Sequence, residues 1–140
     1  MSNSFATTAA AKPLPKPKPK LHSPGPHRIL YVEDDLNTLT STYELLTLLG
    51  HSVTPAASAE AALDAFAVSK FDVLLTDVTL PGLSGIDLAR EVARLRPSLP
   101  IVFASGYGTK LDLAPDLLGH AILPKPFDLA QLEGVLAGGS

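Results

Sequence analysis

Phe71-Asp72-Val73-Leu74-Leu75-Thr76-Asp77-Val78-Thr79-Leu80-Pro81-Gly82 places an apolar run, Val73 to Leu75, just before an acid, Asp77. Leu80-Pro81-Gly82 then stops any regular element. A short apolar run closed by turn residues reads as a central parallel strand, covered on both faces. The carboxyl end of such a strand opens into the crevice where open α/β sheets hold ligands. Asp77 is therefore the candidate reactive residue, and the rest of the chain is read for what it would need.

Upstream of this stretch, Arg28–Val32 is a β-rich run ending in Glu33-Asp34-Asp35, and Ser52–Thr54 is a short second strand. Between them Leu36, Leu39, Tyr43 and Leu46 recur at helical spacing over residues 36–50, with Asp35 as N-cap and Gly50 where a C-terminal cap belongs. A second helix opens at Ser58 and runs to about Ser69, with Ala59, Ala62, Leu63 and Phe66 on one face. Downstream, Ser84 caps a third helix to about Arg96, with Ile86, Ala89, Val92 and Ala93 inward, and Pro97 and Pro100 end it. Pro100–Ala104 is the fourth strand, stopped by Ser105-Gly106-Tyr107-Gly108. Residues 109–119 are ambiguous, because Pro115 breaks any helix there. Ala121–Leu123 is a fifth strand. Asp128 and Gln131 form a capping-box pattern ahead of a last helix with Leu129, Leu132, Val135 and Leu136 inward. Strand and helix alternate five times without a hairpin signal, which predicts a parallel sheet with helices on both faces.

Composition bounds the rest. With 140 residues, 46% of them hydrophobic, the chain suits one domain with a real core, and it has no Cys for disulfides or thiolate metal sites. No apolar run approaches the ~20 residues of a membrane helix, and Met1–Ala11 lacks the apolar core of a secretory signal, so a cytoplasmic protein is expected. Residues 1–27 hold four of the 11 Lys and Arg and no acid, so residues 28–140 set seven bases against 14 acids. That acidic body argues against nucleic acid as the main partner. The leader alternates Lys and Pro from Lys12 to Lys20, favours extended polyproline conformations, and reads as a flexible leader or linker. His22, His27, His51 and His120 show no ligand spacing and read as surface or turn residues.

In a parallel sheet every strand's carboxyl end lies on one edge. Glu33-Asp34, Asp77, Ser105 and Lys125 therefore converge. Three crowded carboxylates repel one another unless a cation sits among them. A hard ion with oxygen ligands answers this, and Mg²⁺ fits because it keeps waters and takes one or two carboxylates plus phosphate oxygens. Asp77 can then attack phosphorus as a carboxylate nucleophile. Phosphoryl transfer needs in-line placement and neutralised charge on the transferred oxygens, which Mg²⁺, the Lys125 ammonium and the Ser105 hydroxyl supply.

Four pieces in this order, Tyr31-Val32-Glu33-Asp34-Asp35, Leu75-Thr76-Asp77-Val78-Thr79-Leu80-Pro81-Gly82, Phe103-Ala104-Ser105-Gly106 and Leu123-Pro124-Lys125-Pro126-Phe127, resemble a response-regulator receiver domain. The resemblance spans about residues 28–137, and the receiver domain is expected over 28–138 after the leader at 1–27. It implies a flavodoxin-like doubly wound five-stranded parallel sheet of order 2-1-3-4-5. It also implies that Asp77 is the phosphoacceptor, that Glu33 and Asp34 are the acidic Mg²⁺ pair with Asp34 the direct ligand, and that the Thr79 backbone carbonyl is a further ligand. Ser105 would be the switch hydroxyl, Lys125 the phosphate-binding lysine, and Lys125–Pro126 a cis bond. The donor would be a histidine kinase or histidine phosphotransfer protein, and the module a phosphorylated switch of protein–protein interactions rather than an enzyme. The wording around Ser105 and Lys125 resembles receivers of hybrid histidine kinases. With nothing after Ser140, a stand-alone receiver without an output domain is the simplest expectation, and a receiver excised from a larger kinase the other. Two departures stand out: Ile122 where the family often has a switching aromatic, and Pro115 in the region of the fourth helix. Tyr107 stands where a side chain screens the acyl phosphate from water, which predicts slow hydrolysis. The competing class is an Mg²⁺-dependent phosphatase or nuclease using the same strand-end acids. Either would want a second Asp two residues after Asp77, where this chain has Thr79.

Overall fold

The computed structural model describes residues 18–21, 25–106 and 115–138. Five strands, β1 (Arg28–Val32), β2 (Ser52–Ala56), β3 (Val73–Asp77), β4 (Ile101–Ser105) and β5 (Ala121–Pro124), form one sheet in the order β2-β1-β3-β4-β5. All four neighbouring pairs are parallel, with Val32 opposite Thr76 and Asp77 opposite Ala104. The helices are α1 (Leu36–Leu48), α2 (Ala59–Val68), α3 (Gly85–Leu95) and α4 (Leu129–Leu136), with a 3₁₀ turn at Pro115–Leu117. This is the doubly wound topology expected of the alternating pattern. Any helix over residues 107–114, and Tyr107 with it, lies outside the described residues.

The period-2 geometry of a strand divides the core in two. Ile29, Tyr31, Val73, Leu75, Val102, Ala104 and Leu123 meet Leu46 of α1 and Leu132 and Leu136 of α4 on one face. Leu30, Val32, Leu74, Ile101 and Phe103 meet Ala59 and Ala62 of α2 and Leu88, Ala89 and Val92 of α3 on the other. The central strands β3 and β4 are buried along their whole length, which is why they read as unbroken apolar runs.

Each helix starts where a short polar side chain takes an orphan amide. Asp35 accepts from Thr38, Ser58 from Ala61 and Ser84 from Asp87. Asp128 and Gln131 close a reciprocal capping box. At the end of α1, Gly50 takes φ +97°, the left-handed conformation that a glycine adopts freely.

Three details differ from the sequence reading. On α1, Leu36 is 66% and Tyr43 38% exposed, and the inward positions are Thr42 and Leu46. On α4, Leu129 is exposed at the first turn. His27, His51 and His120 are buried, not surface residues. His27 and His51 stack at 5.3 Å, and the His27 amide donates to His51 Nδ1 at 2.9 Å. His120 meets Phe103 edge-on at 6.1 Å. The leader is also not wholly detached: Leu21 packs against the α1/α4 side of the core.

Candidate functional site

Glu33 follows β1, Asp77 ends β3, Ser105 ends β4 and Lys125 follows β5, so the sheet order alone brings these residues to one edge. One carboxylate oxygen each from Glu33, Asp34 and Asp77 lies within 4.8 Å of the others. The Lys125 ammonium enters from the β5 side. It donates to Glu33 Oε1 at 2.9 Å and stands 3.5 Å from Asp77 Oδ2.

The trio is not equivalent. Glu33 is only 2% exposed, and both its oxygens are engaged: Oε2 accepts from the Asp35 amide at 3.0 Å and Oε1 from Lys125. Asp34, in contrast, is exposed. Asp77 is 9% exposed, at the mouth of the crevice. A carboxylate already held by two donors has less to offer a cation than an open one, so Asp34 and Asp77 are the oxygens best placed for direct ligation, with Glu33 orienting the set.

Electrostatics follow from this crowding. Burial first, then repulsion from Glu33, pushes the Asp77 carboxyl above the ordinary range, against the pull of Lys125. Burial alone would lower Lys125. Its hydrogen bond to Glu33 and the charges of Asp77 and Glu33 outweigh that, so the ammonium is held above its ordinary value. The pocket thus carries more negative charge than one lysine neutralises, the condition a divalent cation relieves.

The backbone around Asp77 is tied down on every side. The Val78 amide donates to the Ala104 carbonyl at 3.2 Å, and the Gly85 amide donates to the Val78 carbonyl at 2.9 Å. The buried Thr76 hydroxyl donates to the Asp77 carbonyl at 2.9 Å. A Cβ at Gly85 would stand 1.8 Å from that same carbonyl oxygen, so α3 begins in van der Waals contact with the end of β3. Gly82 takes φ +75° in the connecting loop, and the Leu83 amide reaches Glu60 Oε2 at 3.4 Å. Ser105 is fully buried one residue beyond Ala104, the β4 residue opposite Asp77, and its carbonyl accepts from the Lys125 amide at 2.8 Å. Lys125–Pro126 is cis. Thr79 lies exposed in the loop after β3.

The structure therefore gathers Glu33, Asp34 and Asp77, puts Lys125 against Glu33 and Asp77, sets Ser105 on the adjoining strand end, and leaves Thr79 on the loop. Sequence reasoning missed Thr76 and Gly85. Thr76 reads as strand filler and Gly85 as an ordinary helix residue after Ser84, and only the tertiary approach of α3 reveals their work. Among the described residues no helix is long and apolar enough to cross a membrane.

Comparison with known proteins places these features in company. The description "response regulator receiver domain" matches residues 29–137. The response regulator receiver protein CpdR of Brucella abortus is 33% identical over 108 residues, 75% of this chain and 89% of its own length. Other curated relatives are longer, and the chain spans between 21% and 49% of their length. Among solved structures, a CheY-like response regulator receiver domain from Methylobacillus flagellatus superimposes with a TM-score of 0.72 at 30% identity, covering 80% of this chain and 97% of that one. The response regulator TrrA of Thermotoga maritima, solved in complex with Mg²⁺-BeF, gives 0.66 at 25% identity, covering 76% and 92%.

Proposed function

This chain belongs to the response regulator receiver domain family of two-component signalling, and on that footing we propose that Asp77 is its phosphoacceptor, charged by a phosphohistidine on a histidine kinase or a histidine phosphotransfer protein. The observation that carries the reading is the gathering of Glu33, Asp34 and Asp77 within 4.8 Å of one another, with the Lys125 ammonium against Glu33 and Asp77.

An Asp77 carboxylate oxygen attacks the phosphorus of the donor. The new O–P bond forms as the N–P bond breaks, and the electron pair leaves with the donor imidazole, giving an acyl phosphate on Asp77. Mg²⁺, held by Asp34, Asp77 and the Thr79 carbonyl with Glu33 behind them, would neutralise charge on the transferred oxygens. The similar TrrA protein was solved in complex with Mg²⁺-BeF, which supports a Mg²⁺ site here by family likeness. Lys125 turns from the carboxylates toward a phosphoryl oxygen, and Ser105 donates to another. The added charge of about −1.5 to −2 then biases the loops that carry Ser105 and Lys125, and the readout is a change in protein–protein contact.

Incubation of the protein with acetyl phosphate and Mg²⁺, followed by intact mass, should show one phosphoryl group added. Asp77→Asn should show none. Equal labelling of Asp77→Asn would sink the assignment.

A further inference from the structure

The strand that brings Lys125 to the site has little of its own to hold it. β5 is four residues long, pairs with β4 alone among the described residues, and has in Pro124 a residue with no amide to give. It is entered through the 3₁₀ turn Pro115–Leu117. Yet the Lys125 amide closes on the Ser105 carbonyl at 2.8 Å, and the Lys125 ammonium reaches Glu33 and Asp77. A strand this short on the rim of a sheet opens locally unless other elements hold it.

The described end of the leader supplies such a hold. Leu21 packs against the core cluster that contains Leu123 of β5 and Leu132 and Leu136 of α4. Its carbonyl lies so close to Gly138 that a Cβ there would stand 2.4 Å away. Three residues earlier, the Lys18 ammonium donates to the Asp116 carbonyl, and a Cβ at Gly119 would stand 3.0 Å from Lys18 Cγ. From the other side, Arg90 of α3 takes the Asp116 carboxylate at 3.0 Å. The turn that feeds β5 is thus gripped both from α3 and from the leader. Exposed polar contacts of this kind contribute little by themselves, so the apolar contact of Leu21 carries most of the hold.

The leader is fixed again where it meets β1. His27 Nε2 donates to the Leu136 carbonyl at 2.8 Å, and the His27 amide donates to His51 Nδ1 at 2.9 Å. Gly25, at φ +110°, passes so close to His51 that a Cβ would stand 2.8 Å from its Cε1. Residues 18–21 and 25–27 therefore meet the domain at two anchors, one on β5 and α4, the other on β1, β2 and α4. Gly119, His27 and His51 each precede a strand, so both anchors lie at the amino edge of the sheet, opposite Asp77.

We propose that Lys18–Leu21 is a strap that holds β5 against β4 and thereby positions Lys125 beside Glu33 and Asp77. Leu21 is the positioning residue, and Lys18 guides it into place. With the strap lifted, β5 opens more often and carries Lys125 with it. The leader so acts on the lysine from the far edge of the sheet: whatever draws residues 18–21 away loosens Lys125 without touching the acids. Nothing in this coupling requires phosphoryl transfer.

Two readouts in the full, unphosphorylated chain test the strap. Every Lys in residues 1–27 except Lys20 is followed by proline, so Lys20–Leu21 is the leader's one bond open to trypsin. In the parent chain it should be cut about tenfold or more slowly than in a free peptide of residues 16–27, because the strap must lift first. Leu21→Ser should speed hydrogen exchange of the Lys125 amide by about tenfold while Leu74 of β3 stays as slow as in the parent, and Leu21→Ile should keep the parent rate at Lys125. Lys18→Met, a change outside the core, should speed both the cut and Lys125 exchange by a smaller factor, about two- to threefold. Parent cleavage at the rate of the free peptide would show the leader unseated and overturn the strap. Lys125 exchange unchanged in Leu21→Ser, or Leu74 accelerated as much as Lys125, would overturn it as well, the second by making Leu21 an ordinary core residue.

Discussion

Asp77 is 9% exposed, and burial together with the Glu33 carboxylate holds its carboxyl above the ordinary range. A carboxyl with a raised folded pKa costs stability once pH has passed that value, because the unfolded chain ionises more readily. Asp77→Asn should therefore raise the melting temperature by a few degrees at neutral pH, and the gain should vanish below the ordinary Asp range, where both states are protonated. Mg²⁺ should narrow the gap, since it stabilises only the chain that binds it. Lys125 has the opposite balance. It is the sole ammonium among the described residues to reach Glu33 and Asp77. Lys125→Met leaves the buried Glu33 charge without its partner, at a cost of about 3 kcal/mol. Urea midpoints in EDTA should show that loss. Adding Mg²⁺ should recover more stability in Lys125→Met than in the parent chain, because the cation takes over neutralisation that the lysine no longer supplies. An equal Mg²⁺ effect in both would mean that lysine and metal site are uncoupled.

The junction of β3 and α3 fixes where Asp77 points. Gly85 admits α3 to within contact of the Asp77 carbonyl, a backbone atom that cannot swing aside. Gly85→Ala should cost about 3 kcal/mol by overpacking, read as a lower denaturant midpoint, and should slow labelling by acetyl phosphate because the strand end is pushed out of line. The elements that could be read from residues alone are those whose causes are local. Asp35, Ser58, Ser84 and Asp128 cap helices within three residues of themselves, and Val73–Leu75 is apolar throughout because both faces of β3 are covered. The strand-end acids and Lys125 were legible for a related reason: parallel topology forces carboxyl ends together whatever the helices do. What escaped depends on distant partners. Thr42 is buried on α1 while Leu36 and Tyr43 are exposed, a choice that the apolar spacing of the helix alone does not reveal. Gly85 earned no notice for the same reason, since its neighbour is eight residues back and across a loop.

At the scale of the whole molecule, two buried histidines, His120 and His51, bear on the response to acid. His120 is 8% exposed against Phe103, and burial, then the Lys18 charge, push its pKa down to about 4. Burial, then the neighbouring His27, also lowers His51. Such a group stays neutral in the folded chain while the unfolded chain protonates it near pH 6.5. The unfolded state then binds more protons between about pH 6.5 and 4, so stability rises with pH across that window and is lost as pH falls through it. A shift from 6.5 to about 4 corresponds to roughly 3 kcal/mol for His120 at the acid end, with His51 adding in the same direction. Urea midpoints at pH 7 and pH 4.5 should therefore differ markedly in the parent chain. His120→Leu keeps the contact with Phe103 apolar and removes the titrating ring, so its midpoints should lie closer together. If His120→Leu kept the full acid loss, the ring would not be the group that titrates, and the loss would belong to His51 and the carboxylates paired with arginine, Asp72 and Asp116.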